Sequence, residues 1–267
     1  MSFKSEIYNG EPIILTGKEK TCKRPQGMRS GLEQRNFKQD PFGGFAKGFD
    51  MPIIPRDEWG ERIEEIEKTK SRLSDLSYQA NLRCQDQNGT NYCWANAPVY
   101  CVQILRLASG LGVEYLSPAS VAAPMKGYKN KGGYGTQALK YIAENGIVPT
   151  KHWPCNAISK KYYTEENLES AKNYIVTEWY DLAAENFEQL MTCMLLRIPT
   201  VVGYYWWRHQ VSAIDPISLG DEKYGIRIRN SWGMNYGKDG YAILGEKIAT
   251  PDDAVAPRVA ISYPNSP

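Results

Sequence analysis

The sequence predicts an α+β fold with helices in its first part and strands in its second. Between residues 56 and 197 apolar side chains recur at helical spacing, in segments bounded by capping residues and glycines. After residue 200 the segments are short, rich in β-branched and aromatic residues, and separated by turn signals. A hydrophobic share of 42%, with 18 Tyr and 7 Trp, supplies the material for a sizeable core.

Each element has a local reason. In "RDEWGERIEEIEKTKSRLSDL" (56–76), Trp59, Ile63, Ile66, Lys70 and Leu73 share one stripe. That predicts an amphipathic helix, with Asp57 as its N-cap. "CWANAPVYCVQILRLAS" (93–109) predicts a largely apolar helix stopped by Gly110, with an irregularity at Pro98. "TQALKYIAENG" (136–146) starts at Thr136 and stops at Gly146. "NFEQLMTCMLLR" (186–197) opens on Asn186 with Gln189 three residues on, a capping-box pattern. Strands are predicted over 200–207, 209–215, 224–230 and 240–246. Residues 1–55 form an extended N-terminal arm without periodicity, 56–78 an amphipathic linker helix, 79–249 the main domain and 250–267 a C-terminal tail.

The bulk numbers exclude several functions. The net charge is +2, which argues against nucleic acid or an anionic membrane as partner. No apolar stretch approaches membrane-spanning length, and the first residues lack a signal-peptide core, so a cytoplasmic home is expected. Six dispersed cysteines and two histidines argue against a zinc site, and no cofactor is called for.

Chemistry concentrates at a few residues. Cys93 stands where a helix should begin, and a helix N-terminus favours thiolate. A thiol nucleophile needs a base, and only His152 and His209 exist; His209 lies in the strand-rich part. Twenty-one residues on, Asn230 can orient the imidazole through its side-chain carbonyl. Gln87, six residues before Cys93, can donate to an oxyanion together with the Cys93 backbone N–H.

These stretches resemble the papain-like cysteine peptidases of the C1 family. "QNGTNYCWA", "KGGYGTQALKYIAENGI", "HQVSAI" and "IRNSWGMNYGKDGYAIL" stand in family order between about Gln79 and Gly245. The overall pattern also resembles papain-like proteins of tailed bacteriophages. The family resemblance implies two lobes, a helical one carrying the nucleophile and a β-barrel-like one carrying His and Asn. It implies hydrolysis of polypeptides with Cys93 as nucleophile, His209 as general base and acid, Asn230 as its orienter and Gln87 in the oxyanion hole. It further implies that Trp232 shields the His–Asn bond and that Gly132 and Gly133 line the cleft for the substrate backbone.

The chain departs from the family where Asn91-Tyr92 precede the nucleophile. Thr90 and Asn130 stand where the family's structural disulfide would have its two cysteines. The span from Cys93 to His209 is 116 residues, short against the roughly 130–150 of the family signature. The position after the histidine is Gln210, which suggests a narrower or more polar specificity pocket. The alternative to a peptidase is a papain-fold structural or interaction protein of a phage particle with weak or lost activity; its viral structural partners would bind the arm. Another thiol acyl-transfer enzyme is less favoured by "NSWG". The arm is expected to serve assembly; the competing reading is a propeptide that crosses the cleft and blocks Cys93.

Overall fold

The protein is seen as a computed structural model that describes residues 13–16, 29–36, 46–258 and 260–261. Cys22 and the remainder of both termini lie outside the described residues.

The stripe predicted as one helix over 56–76 forms two, α1 (Arg56–Lys68) and α2 (Leu73–Gln79). Its two halves serve different cores. Trp59 and Ile63 are buried with Phe187 and Tyr224, whereas Leu73 packs with Leu82, Tyr100, Ile104 and Ile214. The break is local: Lys70 adopts a left-handed φ of 51°, and Thr69 Oγ1 bonds back to the Glu65 carbonyl at 2.7 Å. Asp57 does not cap α1; the helix begins one residue earlier, after Pro55. The central helix α3 (Cys93–Ala108) runs on through Pro98. Nearby carbonyls receive side-chain donors, from Asn96 Nδ2 to Tyr92 and from Ser212 Oγ to Ala97.

Helices α4 (Pro118–Met125) and α5 (Gly135–Asn145) pack beside α3. Gly146 ends α5 with φ 78°. Helix α6 spans Glu165–Ala171, and α7 (Phe187–Leu195) is capped by Asn186, whose side chain accepts from the Gln189 N–H at 2.9 Å. Gln189 does not close the box; its side chain accepts from the Ala183 N–H instead.

Among the described residues, eight strands form one sheet. In chain order they are β1 (Ile13–Leu15), β2 (Ala46–Gly48), β4 (Trp179–Asp181), β5 (Thr200–Tyr204), β6 (His209–Ser218), β7 (Tyr224–Arg229), β8 (Tyr241–Gly245) and β9 (Asp253–Pro257). A separate pair joins β3 (Ile175–Val176) to β10 (Ala260–Ile261). The spatial order is β1-β8-β7-β6-β5-β9-β4-β2. The sheet is therefore open, with β1 and β2 as edges, and does not close into the expected barrel-like lobe. The expected tail is also absent over 253–257, because β9 lies between β5 and β4. Both faces of β5 and β9 are covered. Val201 and Val255 belong to the helical core; Val202, Ala254 and Ala256 belong to the opposite one. A strand buried on both sides shows no polar alternation, so its sequence reads weakly as a strand. Among the described residues no helix is long and apolar enough to cross a membrane.

Candidate active site

Cys93 is the first residue of α3, where the backbone N–H has no intrahelical acceptor. His209 opens β6, and α3 packs directly on that strand. The backbone N–H of Gln210, next to His209, is close enough to the Cys93 thiol to favour its thiolate. His209 Nε2 lies 2.8 Å from Asn230 Oδ1, and the same oxygen accepts from the Ser231 backbone N–H at 2.7 Å. A backbone N–H can only donate, which identifies the Asn230 atom as oxygen. His209 Nε2 must then carry the proton in this contact, which leaves Nδ1 as the basic nitrogen of the neutral ring. Trp232 stacks on the imidazole with centroids 4.5 Å apart, and Trp207 meets it edge-on at 4.9 Å. The His–Asn bond is thus shielded from solvent.

Gln87 is held from three directions. Its Oε1 accepts from Ser231 Oγ, its Nε2 donates to the Thr90 carbonyl at 2.8 Å, and its backbone N–H donates to the Ser231 carbonyl. The other Nε2 hydrogen goes to the Arg29 carbonyl at 2.8 Å. An arm carbonyl therefore takes up the second hydrogen of the Gln87 side-chain amide.

The arm occupies the cleft. The Gly31 N–H donates to Cys93 Sγ at 3.1 Å. Leu32 forms a parallel bridge with Gly133: the Gly133 N–H donates to the Gly31 carbonyl and the Glu33 N–H to the Gly133 carbonyl, both at 2.9 Å. Close approach explains the glycines. A Cβ on Gly132 would fall 2.5 Å from the Gly31 carbonyl oxygen, and one on Gly133 2.6 Å from the Trp94 ring. The described part of the arm near the site, expected to stand ready for a partner, lies across the thiol instead.

That cover changes the thiol. Cys93 is fully buried, and desolvation pushes its pKa up to about 11. The backbone N–H groups of Gln210, Gly31, Trp94 and Leu32 pull the other way without cancelling it. That raised value runs against the thiolate-prone cysteine that the sequence leads one to expect. Cys101 and Cys193 are buried on apolar helices, as their surroundings in sequence suggest. His152 lies exposed in a turn. Gln210 is buried, its amide against Gly135, where a Cβ would come within 2.8 Å of Nε2.

The seven residues singled out in sequence gather here: Cys93, His209, Asn230, Gln87, Gly132, Gly133 and Trp232. Sequence reading missed Ser231, which orients both Gln87 and Asn230, although it stands inside "RNSWG". It also missed Gly31, because a lone glycine in an aperiodic arm carries no signal.

Asn130 takes the place of a disulfide near the site. Its Oδ1 accepts from the Asn91 N–H at 2.6 Å and its Nδ2 donates to the Gly89 carbonyl at 2.9 Å.

No family model matches the chain. Among curated proteins, chymopapain of Carica papaya is 26% identical over 181 residues, 60% of this chain and 50% of that one. The chain thus spans about half the length of that relative. Among solved structures, the bromelain protease from Ananas comosus in complex with the E64 inhibitor matches with a TM-score of 0.59. It is 22% identical and covers 70% of this chain and 97% of that one. Xylellain, a cysteine protease from Xylella fastidiosa, matches with a TM-score of 0.55 at 22% identity, over 66% of this chain and 83% of its own. The fold is papain-like, and the homologues and structural neighbours are papain-like cysteine proteases. These plant and bacterial proteins lend no support to the narrower phage resemblance.

Proposed function

We propose that this chain is a cysteine endopeptidase held latent by its own N-terminal segment. The observation that carries the reading is the His209–Asn230 bond under Trp232, beside a cysteine at a helix N-terminus with a side-chain amide donor close by. In this reading, displacement of the arm restores water to the thiol. His209 Nδ1 takes the thiol proton and the sulfur attacks the substrate carbonyl. Gln87 Nε2 and the Cys93 N–H hold the oxyanion. As the C–N bond breaks, His209 returns the proton to the leaving amine; it then activates the water that releases the acyl group. Gly133 would pair with the substrate backbone at the place where it now pairs with Leu32. A cytoplasmic setting belongs to the same reading, supported by the dispersed cysteine pattern.

The test is to open the arm by Gly31→Val in the full chain, then to measure Cys93 labelling by a thiol-directed epoxide and hydrolysis of a denatured protein. Labelling and hydrolysis that both vanish in Cys93→Ala support the peptidase. An opened chain that shows neither would favour the alternative, a papain-fold interaction protein that binds partners, such as viral structural proteins, through its arm.

A further inference from the structure

The arm does more than cover the thiol. Three residues past Leu32, Arg35 enters a buried socket between β4 and β9. Its guanidinium meets Asp181 with two bonds, Nη1 to Oδ1 at 2.8 Å and Nη2 to Oδ2 at 2.5 Å. Nη1 also reaches Asp253 Oδ1 at 3.3 Å, and the Arg35 N–H donates to Tyr205 Oη at 3.3 Å. Arg35, Asp181 and Asp253 are all buried.

The strands build this socket. Asp181 faces Val255 in register, and Asp253 stands two residues before Val255, so both carboxylates project to one face. Gly203 pairs with Asp253 on the other side, and its missing side chain makes room for Leu32, whose Cδ2 lies 3.2 Å from where a Cβ would be. The socket is therefore continuous with the cleft and formed by paired strands of the sheet. A planar guanidinium between two carboxylates is a recognition geometry that an ammonium or an amide cannot reproduce. When the arm leaves, its cation leaves with it.

We propose that Asp181 and Asp253 form a guanidinium site for substrate, selecting polypeptides with an arginine on the Gly133 side of the scissile bond, and that Arg35 occupies it as a self-ligand. The inference rests on the peptidase reading for its biological sense, but the socket can be tested apart from catalysis. The full chain carrying Gly31→Val, Cys93→Ala and Arg35→Ala is mixed with a fluorescent peptide that carries the arm's side chains in reverse order, Arg-Gln-Glu-Leu-Gly, so that a carbonyl rather than an N–H is brought towards position 93. The control peptide has citrulline, of the same shape without charge, in place of arginine. Charge-assisted bonds to buried carboxylates predict at least ~10-fold tighter binding of the arginine peptide. Adding Asp181→Asn or Asp253→Asn should bring that ratio close to one. Equal affinities for the two peptides in the parent variant would overturn the proposal and leave Arg35 as a latch only. Should Arg35→Ala fail to fold, Arg35→Gln keeps an amide donor for the carboxylates and carries the same comparison. Hydrolysis of the aminocoumarin derivative of the peptide by the chain opened with Gly31→Val and carrying Arg35→Ala, with Cys93 intact, reports separately on the peptidase reading. Selective binding without hydrolysis would sink that reading and keep the socket.

Discussion

Gly31 and Asn91 touch so closely that only glycine fits between the arm and the thiol. A Cβ on Gly31 would fall 1.9 Å from the Asn91 carbonyl oxygen, while the Gly31 N–H donates to Cys93 Sγ at 3.1 Å. Asn91, from the unusual pair before Cys93, therefore forms part of the surface against which the arm docks.

Gly31→Val should lift the arm. The clash is with backbone, so it cannot be relieved by a rotamer change, and overpacking of this kind costs about 1–3 kcal/mol. That corresponds to roughly 5- to 150-fold more open chain. Alkylation of Cys93, followed by mass spectrometry of the intact protein, should accelerate by that order. An unchanged rate would mean that the arm does not control access. Deleting residues 1–55 is a poorer test, since it removes β1 and β2 from the sheet together with the blocking segment.

In the unmodified chain Cys93 should not be the first thiol to react. Cys155 is only partly buried, whereas Cys84, Cys93, Cys101 and Cys193 are buried. Brief alkylation is expected to mark Cys155 ahead of Cys93, and the order should reverse in Gly31→Val. Prompt labelling of Cys93 in the closed chain would contradict the burial described here.

The pH dependence follows from the raised thiol. Burial raises the Cys93 thiol to about 11, so at pH values from the uncovered thiol's own pKa up to that point the covered thiol keeps a proton that the uncovered one has lost. The covered state binds more protons, and its stability must fall as pH rises through that window. Opening of the arm, read as protease sensitivity of residues 29–36, should increase from pH 9 to 11. Cys93→Ser should flatten that rise, and an equal slope in both proteins would exclude the thiol as its source.

In the opened chain, Gln87→Ala should lower kcat by ~10²–10³, the usual cost of one oxyanion donor. Asn230→Ala should cost less than Cys93→Ala, because a loosened imidazole still finds the thiol part of the time. Circular dichroism should show both variants folded. Equal kinetics for Gln87→Ala and its parent would remove Gln87 from the site.

Asn130→Ala should destabilise the loop before the nucleophile by about 1–3 kcal/mol, since two hydrogen bonds hold Gly89 and Asn91 there. Reducing agent should leave the melting temperature unchanged. A drop of several degrees under reductant would reveal a disulfide and an oxidising home.

The sequence by itself determined which side chains meet at the candidate site. Cys93, His209, Asn230, Gln87 and Trp232 stand in motifs whose residue types and order resemble a known family, and motifs of that kind are readable one residue at a time. It also determined the ends of α5 and α7, because Gly146 and Asn186 act on their own turn of backbone. Tertiary structure decided what depends on distant partners. The stripe over 56–76 splits because its halves face different cores. Strand β9 was read as tail because a strand covered on both faces has no alternation to display. The arm had neither period nor motif. Its course across Cys93, and the seat of Arg35 between Asp181 and Asp253, exist only because β4, β5 and β9 bring residues more than 140 positions away to the same cleft.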